Sequence, residues 1–136
     1  MKSKFKLNQK ASFSKTISES DVYLFAGITG DYNVVHINSE KAKESIFGER
    51  IVHGMLVAGL ISTVIGTKLP GEGTVYMEQD VKFLLPVKIG DTVTAQVEII
   101  EVINAEKRIF KLNTEVINQR GELVVNGYAI VKGPEL

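Results

Sequence analysis

Gly54-Met55-Leu56-Val57-Ala58-Gly59-Leu60-Ile61-Ser62-Thr63-Val64-Ile65-Gly66-Thr67-Lys68 is the stretch on which the fold turns. Read as a helix, its apolar residues cover the whole circumference, with no charge before Lys68. A helix apolar all round has to be enclosed by protein. The run Met55 to Ile65 is interrupted by Ser62 and Thr63 and falls well short of the ~20 residues a membrane span needs. Pro70, Gly71 and Gly73 close the helix, and the chain beyond them alternates. Val93, Ala95, Val97 and Ile99 face one way while Thr94, Gln96 and Glu98 face the other; Phe110, Leu112, Thr114 and Val116 repeat the pattern. The apolar phase slips at Ile99-Ile100, which predicts a bulge. Gly90-Asp91, Asn104 to Lys107 and Asn118 to Gly121 are read as hairpin connections.

Upstream of the helix the chain is less periodic. A short strand is expected around Ala11 to Ile17. Ser18 and Asp21 form a capping-box-like start to a helix with an apolar stripe of Val22, Leu24, Phe25 and Ile28, which Gly30 stops. A second short helix is expected from after Asn38 through Ala42 to Ile46. Strands segregated from helices indicate an α+β protein, and the simplest packing curls an antiparallel sheet of about five strands around the long buried helix. Such a sheet leaves open edges and a convex face with apolar residues such as Val124 and Ile130, so a homodimer or higher homo-oligomer is expected.

Composition narrows the function classes. At 136 residues the chain is one domain's worth, 1–136. Lys plus Arg and Asp plus Glu are both 16, so no basic excess draws the whole chain to nucleic acid or anionic lipid. There is no cysteine, which removes disulfides, thiolate metal sites and a Cys nucleophile. The lysines of Met1 to Asn8 are not followed by an apolar run, so no secretory signal is expected and the cytoplasm is the expected compartment.

Chemistry concentrates in Gly30-Asp31-Tyr32-Asn33-Val34-Val35-His36. On a continuous helix Asp31 and His36 would point ~140° apart, so they share a pocket only if the segment is a loop. These seven residues are explained as well by turn chemistry and a hydrogen-bonded structural histidine. The downstream Arg50-Ile51-Val52-His53-Gly54-Met55 changes the balance. Gly30-Asp31-x-Asn33-x-x-His36 followed by Arg50-Ile51-x-His53-Gly54-Met55 resembles the MaoC-like, (R)-specific enoyl-CoA hydratase family, and the likeness covers nearly the whole chain.

The resemblance implies a hot-dog fold and reversible hydration of trans-2-enoyl-CoA to (3R)-3-hydroxyacyl-CoA, without metal or redox cofactor. The family's catalytic Asp and His fall on Asp31 and His36, and its motif Asn on Asn33. The glycine whose N–H binds the thioester oxygen falls on Gly54, and a helix serine that orders the site falls on Ser62. Many members carry Pro where Val34 stands, which leaves this loop less restricted. Residue by residue the readings are less sharp. Gly54 is also a plain helix-start glycine, Ser62 can bond back to the Ala58 carbonyl, and His53 is read as structural. With only these two histidines and no HxxxH spacing, no metal site is expected. Three other readings compete: a hot-dog acyl-CoA thioesterase, a 3-hydroxyacyl-acyl-carrier-protein dehydratase, and a non-catalytic acyl-binding module. Lys82, Lys88, Lys107, Arg108 and Lys111 are candidates for the rim that meets the carrier.

Overall fold

The computed structural model describes residues 4–135. Along them run β1 (Lys10–Thr16), α1 (Glu19–Thr29), α2 (Val34–Ile37), α3 (Ser39–Lys43), α4 (Gly54–Thr67), β2 (Val75–Gln79), β3 (Lys82–Phe83), β4 (Thr92–Asn104), β5 (Ile109–Ile117) and β6 (Leu123–Lys132). The strands form one antiparallel sheet in the order β1-β4-β5-β6-β2, with β3 also paired to β6.

The alternation in β4 and β5 decides which face is inside. Val93, Ala95, Val97, Ile99, Leu112 and Val116 are completely buried. They share a core with Val57, Leu60, Ile61, Val64 and Ile65 of α4, and the helix packs on β4, β5 and β1. Each Val, Leu or Ile among them contributes about 1.5–3 kcal/mol on burial, so sheet and helix hold one another. This is the hot-dog arrangement, a curled sheet around a central helix. The phase slip is a bulge, with the β4–β5 register shifting between Ile99 and Glu101.

The sheet has five strands along its path plus the two-residue β3, which is too short to show any periodicity. Several other expectations are corrected. Gly90-Asp91 is not a hairpin between paired neighbours. It leads into β4, whose partners are β1 and β5, and is held by Gly90 N–H on the Ile17 carbonyl at 2.8 Å. The short helix α3 ends at Lys43 rather than at Ile46. On α1 the buried stripe is Val22 and Ala26, whereas Leu24 and Ile28 are exposed. Val124 is buried, not convex; exposed apolar side chains on the sheet include Val75 and Met77 of β2, Phe83 of β3, and Ile100, Val102 and Ile103 of β4. Nor is α4 covered all round: Met55, Gly59, Ser62 and Gly66 form one open stripe, because the sheet curls around only part of the helix.

Candidate active site

The site is built from three short elements set against the start of α4. Gly30 ends α1 in the left-handed region (φ 81°), with its N–H on the Ala26 carbonyl, a conformation that favours glycine. The chain therefore turns sharply, and the side chains of Asp31 and Asn33 hold the turn. Asp31 Oδ1 accepts the Asn33 N–H at 3.2 Å, and Asn33 Oδ1 accepts the Val35 N–H at 3.3 Å, capping α2. Residues 30–36 are thus a short loop followed by a one-turn helix, rather than a loop throughout. The turn carries His36 inward, where it is 8% exposed.

Arg50 secures that turn from fourteen residues downstream. Its Nε–H donates to the His36 carbonyl at 2.8 Å, and its Nη1 meets Glu19 of α1 at 2.7 Å. The guanidinium also lies over the Tyr23 ring at 5.2 Å. The sequence offered Arg50 as part of a motif but gave it no task.

Hydrogen bonding fixes the ring states. His36 Nδ1 lies 2.8 Å from the Ile51 carbonyl, and a carbonyl only accepts, so Nδ1 carries the proton. In the neutral ring Nε2 is then left with its lone pair. Burial holds the His36 pKa below the ordinary imidazole range; the nearby His53 adds to this, while the Ile51 bond and the Asp31 charge oppose it. His53 is 1% exposed and, by the same logic, donates from Nε2 to the Asp31 carbonyl at 2.9 Å.

A carboxylate oxygen of Asp31 and one ring nitrogen each of His36 and His53 lie within 4.8 Å of one another. No hydrogen bond joins Asp31 directly to His36 among these described residues, so the pair is spaced to share one water. The same three groups are a poor cage for a tetrahedral ion. The two imidazoles stack with centroids 3.9 Å apart and planes 26° from parallel, so their in-plane lone pairs run side by side rather than converge.

These groups open into a cavity of about 440 Å³. Apart from Asp31, His36, His53 and Gly54 its lining is apolar, with Met55, Phe83, Leu84, Leu85 and Val87 among its walls. Gly54 is the first residue of α4, and no described group accepts its N–H. The helix dipole adds partial positive charge there. A Cβ on Gly54 would meet the Phe83 ring at 2.7 Å, so that ring lies directly on the glycine.

Two expected site residues lie elsewhere. Asn33 is exposed and its carbonyl oxygen is engaged by Val35 N–H, so it shapes the loop and does not line the cavity. Ser62, two turns along α4, belongs to the open stripe and is also absent from the lining; among the described residues no bond from its hydroxyl to the Ala58 carbonyl forms. Of the candidate rim cations, Lys82 pairs with Asp80 and Lys88 with Glu49, flanking the wall segment between them. Arg108 meets Glu135, and Lys111 lies over Tyr128. The apolar wall from Phe83 to Val87 was not anticipated; its only sequence signal is an apolar run too short to assign.

The chain is similar to known proteins in both sequence and fold. An (R)-specific enoyl-CoA hydratase of Rhodospirillum rubrum is 47% identical over 129 residues, 95% of this chain and 88% of that protein. The unliganded R-hydratase PhaJ1 of Pseudomonas aeruginosa superposes with a TM-score of 0.91 at 42% identity, covering 97% of this chain and 84% of that one. The (R)-hydratase of A. caviae involved in PHA biosynthesis superposes at 0.92 with 40% identity, covering 96% and 98%. Residues 2–120 match the MaoC-like domain throughout. The domain match, the superpositions and the sequence identities agree, and the chain belongs to the MaoC-like domain family.

Proposed function

We propose that this chain, read as one domain over 1–136, is an (R)-specific enoyl-CoA hydratase that adds water reversibly to trans-2-enoyl-CoA. The observation that carries the reading is the Asp31–His36 pair beside the unpartnered Gly54 N–H in one apolar-walled cavity. The water held by the pair attacks C3 as the C2=C3 π electrons move onto the thioester oxygen. Gly54 N–H receives that developing negative charge, a contribution of about 3–4 kcal/mol for a well-placed donor. Asp31 and His36 together take one proton from the water and return one to C2. The two side chains serve one water together, and the lone pair on His36 Nε2 makes the neutral ring the competent one. Water is added whole, so the balance requires no redox partner. The (3R) product is inferred from the activity for which the relatives are named.

The test is loss of enone absorbance from crotonyl-CoA, with chiral analysis of the product. His36→Ala should lower the rate by about two orders of magnitude or more. Free CoA thiol in place of a hydroxyacyl thioester would turn the reading to a thioesterase, which the absence of any carboxylate along α4 disfavours. Crotonyl-acyl-carrier protein run in parallel decides the carrier.

The pH profile follows from the depressed His36 pKa. As pH falls through that pKa the ring gains a proton and its base function is lost. The acid limb of kcat/KM should therefore lie below the ordinary imidazole value of about 6.5. A limb centred above it would contradict the role given to His36.

A homodimer is the assembly we assign. The open stripe of α4 and the apolar edge strand β2, with Val75 and Met77 both 55% exposed, are surfaces a second copy would cover. Light scattering should give twice the chain mass, and a monomer at micromolar concentration would count against it. No helix among the described residues is long and apolar enough to cross a membrane. We assign the reaction to the cytoplasm, and fractionation of cells carrying the protein checks this.

A further inference from the structure

His53 lines the cavity yet has no part in the reaction as drawn. Its ring is wedged between Phe25 of α1, with centroids 4.8 Å apart, and His36, at 3.9 Å. Its Nε2–H holds the Asp31 carbonyl at 2.9 Å, while its Nδ1 is buried with no partner among the described residues. Filling the slot between two rings would need no nitrogen at all. A phenylalanine would keep an aromatic ring against both neighbours without leaving a polar atom stripped of water. The retained imidazole is therefore explained by the one bond its nitrogens make, to the backbone of Asp31.

That bond matters because of what carries the reacting groups. Asp31 sits on an exposed loop and His36 on a single helical turn. Neither element is stiff enough alone to hold two side chains in register. His53 immediately precedes α4, whose body is locked in the core. We propose that His53 is a positioning residue, its N–H fixing the Asp31 backbone and its ring face fixing the His36 imidazole, so that both are referred to the rigid central helix. Misplacement by about 1 Å can cost on the order of 100-fold in rate, so such a reference is needed. The charged groups around His36 are Asp31 on the loop and the Arg50 guanidinium on its carbonyl, and His53 is the titratable ring on its face. This inference rests on the hydratase reading.

The test is His53→Phe, which keeps the stacked ring and removes both nitrogens. With crotonyl-CoA we expect kcat to fall by about 10- to 100-fold with KM changed less than about threefold, while the melting temperature is retained or raised. Wild-type kcat in a folded His53→Phe would overturn the inference while leaving the hydratase reading intact. A wild-type protein that leaves crotonyl-CoA unchanged would instead overturn the hydratase reading. If His53→Phe does not fold, the wild-type protein decides through its histidine nitrogen-15 spectrum. The chain has only two histidines, so His36→Ala assigns the signals. The inference requires His53 protonated at Nε2 and His36 at Nδ1; a His53 protonated at Nδ1 alone would overturn it.

Discussion

Asp31→Asn should lower crotonyl-CoA hydration by at least about two orders of magnitude while the fold stays intact. The substitution preserves shape, and the loop's own bonds survive it. The new side chain still offers a carbonyl oxygen to the Asn33 N–H, and the main-chain carbonyl still receives His53. The residue is exposed, so no buried charge is left without its partner. Only the capacity to accept and return a proton is removed. Enone absorbance for turnover and a circular-dichroism melt for folding separate the two effects. Unchanged turnover would refute the role of Asp31 and favour a module that binds acyl thioesters without converting them.

Gly54→Ala should cost about 10²–10³-fold in kcat, the range seen when an oxyanion donor is removed. The backbone at Gly54 begins an ordinary helix, so alanine is not strained there. The damage comes from the added methyl, which would stand 2.7 Å from Phe83 Cε1 and in the approach to the amide. Phe83 is half exposed and free to swing aside, so the melting temperature should change little. The double variant Gly54→Ala/Phe83→Ala distinguishes two causes. With the ring gone the clash disappears, but the methyl still shields the N–H, and the rate should stay low. Recovery to the wild-type rate would mean that Gly54 serves only to seat Phe83.

How much of this was legible in sequence depends on the range of the interactions. The α1 start was readable because Ser18 and Asp21 satisfy one another's N–H groups within a single turn. The inner faces of β4 and β5 were readable because alternation records which side of a strand meets the core. The Asp31–His36 pairing was reachable through the left-handed glycine that breaks the helix. What escaped depends on distant partners. The one-turn α2 persists because Asn33 caps it and Arg50 grips its carbonyl from far along the chain. The wall from Phe83 to Val87 is placed by pairing with β6, for instance Leu84 N–H on the Val124 carbonyl at 2.9 Å. No local pattern announces either. Ser62 was named through the family resemblance, and it stands on the stripe of α4 that the curled sheet leaves open.

The central helix has two duties that natural variation cannot easily separate. Its hydrophobic body is what the sheet closes upon, and its first residue presents the amide that would meet the substrate. Changes that loosen the interior should therefore blunt turnover and heat resistance in step. Changes in the Asp31 loop should lower turnover in a protein that melts as before. Evolution of a slower or faster catalyst on this frame has room at the periphery and very little along its axis.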